Sequence, residues 1–297
     1  MLGWFDANLV SILNGFAIGA LLFILAVGLS IVFGMMDVLN LAHGGLYLVG
    51  SYLAFTFGDG TSSWGGFLTS LGVAALVGLL AGGALSAMTE PLARRPILDQ
   101  ALLTLGVSLV VAELLSIAYG NDVYSIAPPP GLDGSVAVAG NAYPTYRLAL
   151  IGLGLVLAVA VWLVVERTSV GALVRASVAD RDMVSAMGID NRKVKVAVLG
   201  IGSMLATVAG VLGGPVYGVG PGLDDTILIL ALVVVVIGGL GSVTGAFVGA
   251  MVIGQVESLG RAVAPDYASF ILFGTLALVL VLRPRGLFGP KKTAGVA

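Results

Sequence analysis

Nine hydrophobic stretches follow one another along this sequence and leave few residues for any other kind of structure. They cover approximately 9–33, 38–57, 67–88, 100–119, 147–165, 195–217, 226–238, 243–259 and 267–282. A helix needs about 20 apolar residues to cross the hydrocarbon core of a bilayer. The sequence therefore predicts an all-α fold: a polytopic transmembrane bundle of about eight or nine spans, some of them broken, in one domain over residues 1–297.

The composition supports a membrane protein and restricts its chemistry. With 58% hydrophobic and 10% charged residues, the chain lies outside the range of soluble domains. Its 44 glycines suit helices that associate in lipid by close packing. GxxxG spacings recur at Gly15/Gly19, Gly78/Gly82, Gly210/Gly214/Gly218 and Gly241/Gly245/Gly249. The lack of cysteine and the single histidine exclude disulfides and a His-rich metal site, and an isoelectric point near 5.3 gives no basis for nucleic-acid binding.

The positions of Lys and Arg predict how the chain crosses the membrane. Basic residues occur in the loops 89–99 and 166–195 and in the C-terminal tail, whereas 58–66, 120–146 and 218–225 have none. By the positive-inside rule, the basic segments are expected in the cytoplasm, the N terminus outside and the C terminus inside. No Lys or Arg precedes Arg94, so the first stretch is expected to remain as a span. The stretch 226–238 is short and is expected to cross only inside protein or to enter the membrane partway.

A polar island at 171–195 interrupts the hydrophobic pattern. It holds five of the 14 Lys and Arg residues and must project into water. At helical spacing one face collects small or apolar side chains: Ala172, Ala176, Ala179, Met183, Ala186 and Met187. Gly188 is a plausible helix stop. The pattern fits an ordinary solvated helix, or a helix whose small side chains let a soluble partner approach closely.

The spacing within this island resembles the cytoplasmic loop of branched-chain amino acid permeases, a family of subunits in ATP-binding-cassette importers. The residues that carry the resemblance are Gly171, Arg175, Ala176, Asp180, Ala186, Gly188 and Ile189. In that family the loop is a coupling helix that sits in a groove of the ATPase. The resemblance therefore implies that these residues couple the chain to a separate ATPase.

Two further regions resemble motifs of the same family and break apolar stretches. The run Leu39-Asn40-Leu41-Ala42-His43-Gly44 resembles an Asn-Phe-Ala-His-Gly signature, and Gly238-Gly239-Leu240-Gly241-Ser242 resembles a Gly-Gly-x-Gly-Ser/Thr motif. Irregular backbone at membrane depth occurs only where it is buried in protein or lines a water-filled cavity. The first run thus predicts part of a solute path, with a short interfacial loop as the alternative.

The candidate path residues combine both runs with Thr104 of a third family-like motif. They are Asn40, His43, Gly44, Thr104, Gly238, Gly239, Gly241 and Ser242. His43 is expected to be a structural hydrogen-bonding residue rather than a proton carrier. The glycine-rich run lacks the lysine of a P-loop, so it does not predict nucleotide binding. Glu113 is an acid within a span but lies toward its predicted outer end.

The resemblance implies a permease subunit that is not itself an enzyme, with no catalytic residue, metal or cofactor in this chain. It would move branched-chain or other amino acids into the cytoplasm of a bacterium or archaeon by alternating access. The implied partners are a second homologous permease, two cytoplasmic ATPase subunits that bind ATP, and an extracytoplasmic solute-binding protein in addition to the lipid bilayer. A urea or short-chain amide permease of the same superfamily is one alternative. A stand-alone channel or secondary transporter is another, and an intramembrane enzyme is a third, although no Ser-His-Asp set or acid pair is evident.

Overall fold

Nine α-helices account for most of the computed structural model, which describes residues 2–36, 39–58, 63–92, 95–169, 171–173, 176, 183, 188 and 190–289. The helices are α1 (Leu2–Met36), α2 (His43–Gly58), α3 (Trp64–Thr89), α4 (Ile97–Tyr119), α5 (Thr145–Arg167), α6 (Asn191–Tyr217), α7 (Leu223–Gly238), α8 (Val243–Val263) and α9 (Ala268–Leu282). Each predicted hydrophobic stretch overlaps one of these helices. The predicted all-α polytopic fold is confirmed.

Two helices of the described chain, α2 and α7, belong to no segment long enough to cross a bilayer. α2 and α7 have 16 residues each, which corresponds to about 24 Å against a hydrocarbon core of about 30 Å. Seven segments of the described chain are long and apolar enough to span, including Pro265–Leu282, which joins a short 3-10 helix to α9. Most residues of α2 and α7 are buried. The prediction that 226–238 lies inside protein is therefore confirmed.

The long helices divide into a core and a periphery. The most apolar windows of α1 and α6 are 78% and 72% buried, whereas those of α4, α5 and α9 are only 17%, 11% and 6% buried. Because the exposed side chains of the peripheral helices are largely apolar, they suit contact with lipid. The core thus consists of α1, α6 and α8 with the two short helices between them.

Glycines let the core helices approach one another closely. A methyl group at Gly19 of α1 would come within 2.9 Å of the Ala250 carbonyl of α8, and one at Gly78 of α3 within 2.6 Å of the Met204 Cα of α6. Contacts this short cannot accommodate a side chain. The GxxxG spacings seen in the sequence therefore mark helix–helix contacts, as expected for packing in lipid.

The basic segments of the described chain meet at one end of the bundle, which we call the basic end. Four contacts place the helix termini and loops there: Gly34 with Gly241, Phe288 with Gly238, Glu90 with Lys195, and Leu173 with the apolar cluster of Val32, Val194, Val198 and Leu199. These contacts join the end of α1, the α3–α4 and α5–α6 loops, the start of α8 and the C-terminal segment. The sequence pattern and the fold thus agree on which segments share a side.

The opposite end carries a β-hairpin that the sequence analysis did not predict. Strand β1 (Ser135–Val138) pairs antiparallel with β2 (Asn141–Pro144). The two-residue turn between them has positive φ at both Ala139 (49°) and Gly140 (84°), as in the turns that best connect hairpin strands. The Trp64 indole donates to the Pro130 carbonyl at 3.0 Å. This contact ties the segment before the hairpin to the start of α3.

Candidate functional site

The described residues between α1 and α2, from Leu39 to Ala42, are buried or partly buried inside the bundle. Asn40 and His43 have no exposed surface. The side-chain oxygen of Asn40 accepts a hydrogen bond from the Ala42 amide at 3.1 Å, so Asn40 forms a local turn that leads into α2. The alternative prediction of a solvated interfacial loop is therefore wrong, and the prediction of irregular backbone buried in protein is confirmed.

Two hydroxyl groups of α4 hold this segment in place. The Leu41 amide donates to the Thr104 hydroxyl at 3.0 Å, and that hydroxyl lies 3.1 Å from the Leu39 carbonyl, to which it can donate. The Gly45 amide donates to the Ser108 hydroxyl at 3.0 Å. Thr104 was predicted at this site and Ser108 was not. The signal that could have revealed Ser108 is its position one helical turn after Thr104 in an otherwise apolar span.

These contacts place the start of α2 at the middle of the bundle. Ser108 is the central residue of α4 (Ile97–Tyr119), about 16 Å from either end. Next to Gly45, a methyl group at Gly44 would come within 2.6 Å of the Asp224 carbonyl at the start of α7. We call this level mid-depth. The two short helices therefore begin beside each other at mid-depth, and sequence analysis missed this because it placed 218–225 at the outer surface.

The first turn of α7 holds two acidic residues in different surroundings. Asp224 is 5% exposed, and backbone groups of Gly222, Asp224 and Asp225 lie beside its carboxylate. Asp225 and Thr226 are exposed. A carboxylate at mid-depth is costly against hydrocarbon. This face of α7 must therefore border water or another polypeptide, a feature that the sequence analysis did not single out.

We call the place where α2 and α7 begin beside each other the mid-depth junction. His43 is fully buried there, at the start of α2. The backbone of Gly202 lies beside its ring. Among the described residues, however, neither ring nitrogen has a partner at full hydrogen-bond geometry. The structural hydrogen-bonding role expected for His43 therefore stays a prediction.

The second break, between α7 and α8, lies at the basic end. Gly239 and Gly241 have φ of 101° and 79°, a region that favours glycine. Ser242 caps α8 by accepting a hydrogen bond from the Gly245 amide at 2.9 Å. The length of α7, about 24 Å, separates this break from mid-depth. The structure thus brings Asn40, His43, Gly44 and Thr104 together, and places Gly238, Gly239, Gly241 and Ser242 elsewhere.

Part of the predicted coupling loop is described by the structure. Gly171 is buried and packs against the end of α5, Ala176 is exposed, and Gly188 has φ of 82°. A glycine with positive φ is typical of the position after a helix. Residues 184–187, which would form the end of that helix, lie outside the described residues, so the helix stop at Gly188 stays a prediction. The other predicted coupling residues lie outside the described residues: Arg175, Asp180, Ala186 and Ile189.

Leu173 anchors this loop to the bundle. It packs against a small apolar cluster formed by the end of α1 and the first turns of α6, namely Val32, Val194, Val198 and Leu199. Ala176, a few residues later, is on the surface. Among the described loop residues, Leu173 is therefore anchored to the bundle and Ala176 is exposed.

Two other features stand apart from the junction. Glu113 lies beyond Ser108 toward the far end of α4 with its side chain exposed, and no described contact joins it to mid-depth. Within the described residues, no group of three or more His, Cys, Asp or Glu side chains is placed to hold a metal ion. The polar groups at the site are backbone groups, the hydroxyls of Thr104 and Ser108, the Asn40 amide, the His43 imidazole and two carboxylates.

Comparison with known proteins identifies the family. A family model described as "Branched-chain amino acid transport system / permease component" matches residues 11–280. The chain is 28% identical to the high-affinity branched-chain amino acid transport system permease protein BraD of Pseudomonas aeruginosa, covering 95% of both chains. It is 30% identical to the corresponding protein LivH of Escherichia coli strain K12, covering 93% of this chain and 94% of LivH. PsaBC from Streptococcus pneumoniae in complex with Fab superposes with a TM-score of 0.48 at 13% identity over 95% of each chain. The chain belongs to the family of branched-chain amino acid transport permeases.

Proposed function

We propose that this chain is the permease subunit of an ATP-binding-cassette importer that moves branched-chain amino acids into the cytoplasm. The observation that carries the proposal is similarity over nearly the whole chain to permeases named for branched-chain amino acid transport. The two short helices that begin at mid-depth support a transport role, because transporter sites are commonly built where broken helices start inside the bundle. Urea or a short-chain amide is the alternative solute.

The energy for transport would come from other polypeptides. The sequence has no GxxxxGK[ST] run, the phosphate-binding signature of ATPases. Two cytoplasmic ATPase subunits would therefore bind and hydrolyse ATP. A second homologous permease would complete the membrane assembly, and an extracytoplasmic solute-binding protein would deliver the solute. Solute would pass between the two permeases as they alternate between outward and inward openings.

The basic end would face the cytoplasm. Its loops and C-terminal segment carry the Lys and Arg residues that the positive-inside rule places there. The N terminus and the β-hairpin would then lie outside. This orientation presents Ala176 and the rest of the coupling loop to a cytoplasmic ATPase.

The exposed face at the start of α7 would border the solute passage. Asp225 offers a carboxylate at mid-depth, and an amino acid carries an ammonium group that such a carboxylate can bind. Asn40, His43, Gly44 and Thr104 would form the protein wall behind it. Asp225→Asn should raise the KM for leucine uptake about ten-fold or more, since a hydrogen bond to a charged group is lost. Asp266→Asn, at an exposed site outside the helical core, is the control, and an unchanged KM in Asp225→Asn would contradict this role.

The decisive test concerns the coupling loop. Ala176→Trp places a large side chain on the exposed side of the loop, so it should abolish co-purification of the ATPase and leucine-stimulated ATP hydrolysis. Ala142→Trp adds the same side chain to an exposed site on the β-hairpin and should leave both intact. Ala186 and Gly188 can be substituted in the same way. If all three loop variants retain the ATPase and its stimulation, the proposed function is wrong.

A further inference from the structure

Lys195 is a buried cation next to the coupling loop. Its side chain is 9% exposed, and its ammonium lies 3.4 Å from a carboxylate oxygen of Glu90, which is its ion-pair partner among the described residues and is 43% exposed. A buried charge is expensive unless it is paired, and an apolar side chain of similar size often serves stability as well as a charge that must be paired at a buried position. Packing alone therefore does not account for a lysine here.

On one side, the ion pair is connected to the coupling loop. Leu173 of the loop packs against the apolar cluster of Val32, Val194, Val198 and Leu199, and three of these residues lie on the same turns of α6 as Lys195. A displacement of the loop by a bound partner would therefore be passed through this cluster to the turns of α6 that carry Lys195.

On the other side, the ion pair is connected to α4. Glu90 begins the α3–α4 loop, and the Leu92 amide donates to the Thr89 carbonyl at 3.2 Å. The side-chain amide of Gln100, in the first turn of α4, donates to the Leu92 carbonyl at 3.2 Å. The same helix carries Thr104 and Ser108, whose hydroxyls hold the start of α2 at mid-depth. Hydrogen bonds thus link the α3–α4 loop, which Glu90 begins, to α4, and link α4 to the start of α2 beside the proposed solute passage.

The helices that carry the ion pair are also packed to move together. A methyl group at Gly82 of α3 would come within 2.6 Å of the Gly200 Cα of α6, so the two backbones are in contact. The ion pair joins the two helices again at the basic end. A shift of the first turns of α6 would therefore carry the end of α3 with it.

We propose that Lys195 and Glu90 are positioning residues that transmit movement of the coupling loop to α4 and to the mid-depth junction. The proposal rests on the proposed function, because it needs an ATPase that moves the loop. In this role neither residue touches the solute. Breaking the pair should uncouple ATP hydrolysis from transport without preventing assembly.

The experiment measures leucine taken up per ATP hydrolysed by the complete importer in proteoliposomes. Lys195→Met, Glu90→Gln and the double variant are compared with the wild type, together with the melting temperature of each complex. Lys193→Met is the matched control, because Lys193 lies 3.9 Å from Asp190 in a pair that is 85% and 51% exposed. Each single variant should lower the ratio about 2- to 30-fold, and the control should leave it unchanged.

The double variant separates transmission from mere stabilisation. Glu90→Gln alone leaves a buried lysine unpaired and should lower the melting temperature, whereas the double variant removes both charges and should recover much of that loss. If the pair transmits movement, the ratio in the double variant stays as low as in the single variants. A ratio that recovers with the melting temperature, or that never fell, overturns the inference.

The two proposals fail in different ways. A wild-type complex that shows no leucine-stimulated hydrolysis overturns the proposed function and this inference with it. A wild type that couples normally, with single variants that transport the same amount of leucine per ATP, overturns the inference alone. Glu90→Gln keeps the test available if Lys195→Met does not assemble, because Glu90 is 43% exposed.

Discussion

The chain breaks between α1 and α2 and between α7 and α8 differ in how their irregular backbone obtains hydrogen-bond partners. At the first break, before α2, hydroxyl groups of a neighbouring helix satisfy the irregular backbone: Thr104 serves Leu39 and Leu41, and Ser108 serves Gly45. At the second break, before α8, the partners are mostly backbone groups. There the Phe288 amide donates to the Gly238 carbonyl at 2.9 Å.

Because the hydrogen-bond partners differ, the two breaks should be sensitive to different substitutions. Backbone groups at membrane depth must be satisfied within the protein. A break held by side-chain hydroxyls can be weakened by removing one hydroxyl and restored by a similar residue. A break held by close backbone contact depends on the absence of side chains, so adding a methyl group should damage it most.

The largest effect is therefore expected at the second break, for Gly34→Ala. A methyl group at Gly34 would overlap the Cα of Gly241, and two backbones cannot move apart without disturbing the ends of α1 and α8. The free energy of unfolding should fall by about 3 kcal/mol, the upper part of the range for overpacking. This loss of stability should appear as a lower melting temperature of the purified permease.

Gly72→Ala is the matched control for this prediction. Gly72 lies in α3, and a methyl group added there would have no neighbouring atom within 4 Å, so alanine should leave stability unchanged or raise it slightly. If Gly34→Ala melts like Gly72→Ala, the second break is not held by backbone contact.

A smaller effect is expected at the first break, for Thr104→Val. Valine keeps the shape of the side chain but removes the hydroxyl, which leaves the Leu41 amide without its partner. The cost should be about 2 kcal/mol, and leucine uptake should fall because the start of α2 is no longer fixed. Thr104→Ser should restore both properties. Thr69→Val is the control, since Thr69 is exposed and its hydroxyl donates to the Gly65 carbonyl of its own helix.

Sequence alone was enough to predict the nine helices of the described chain, because each hydrophobic stretch overlaps one of them. Apolar runs locate helices in a membrane protein because the bilayer demands them. It also predicted that 226–238 would be internal, from its length alone. The boundaries were less accurate at the polar starts of helices: α6 begins at Asn191, ahead of the stretch 195–217, because Asp190 caps it by accepting from the Arg192 amide.

The contacts that build the site were harder to predict, because they join residues far apart in the chain. Gly45 and Ser108 are separated by 63 residues, and Glu90 and Lys195 by 105. The spacing from Thr104 could have singled out Ser108, but no local pattern indicates which distant residue either partner contacts. Sequence motifs identified one side of the mid-depth junction, whereas its contact with α7 depends on how the helices pack.

The smallest loss of stability is expected for Ser242→Ala. The KM of this variant tests whether the second break belongs to the solute passage. Ser242 caps α8 through the Gly245 amide, and Ser63 caps α3 in the same way through the Gly66 amide at 3.0 Å. Loss of either cap should cost about 1 kcal/mol, so both variants should melt slightly below the wild type. Because Ser242 lies about 24 Å from mid-depth along α7, its variant should transport leucine with the same KM as Ser63→Ala. A KM that rises only in Ser242→Ala would show that solute contacts the basic end, and the passage would then extend along the whole of α7.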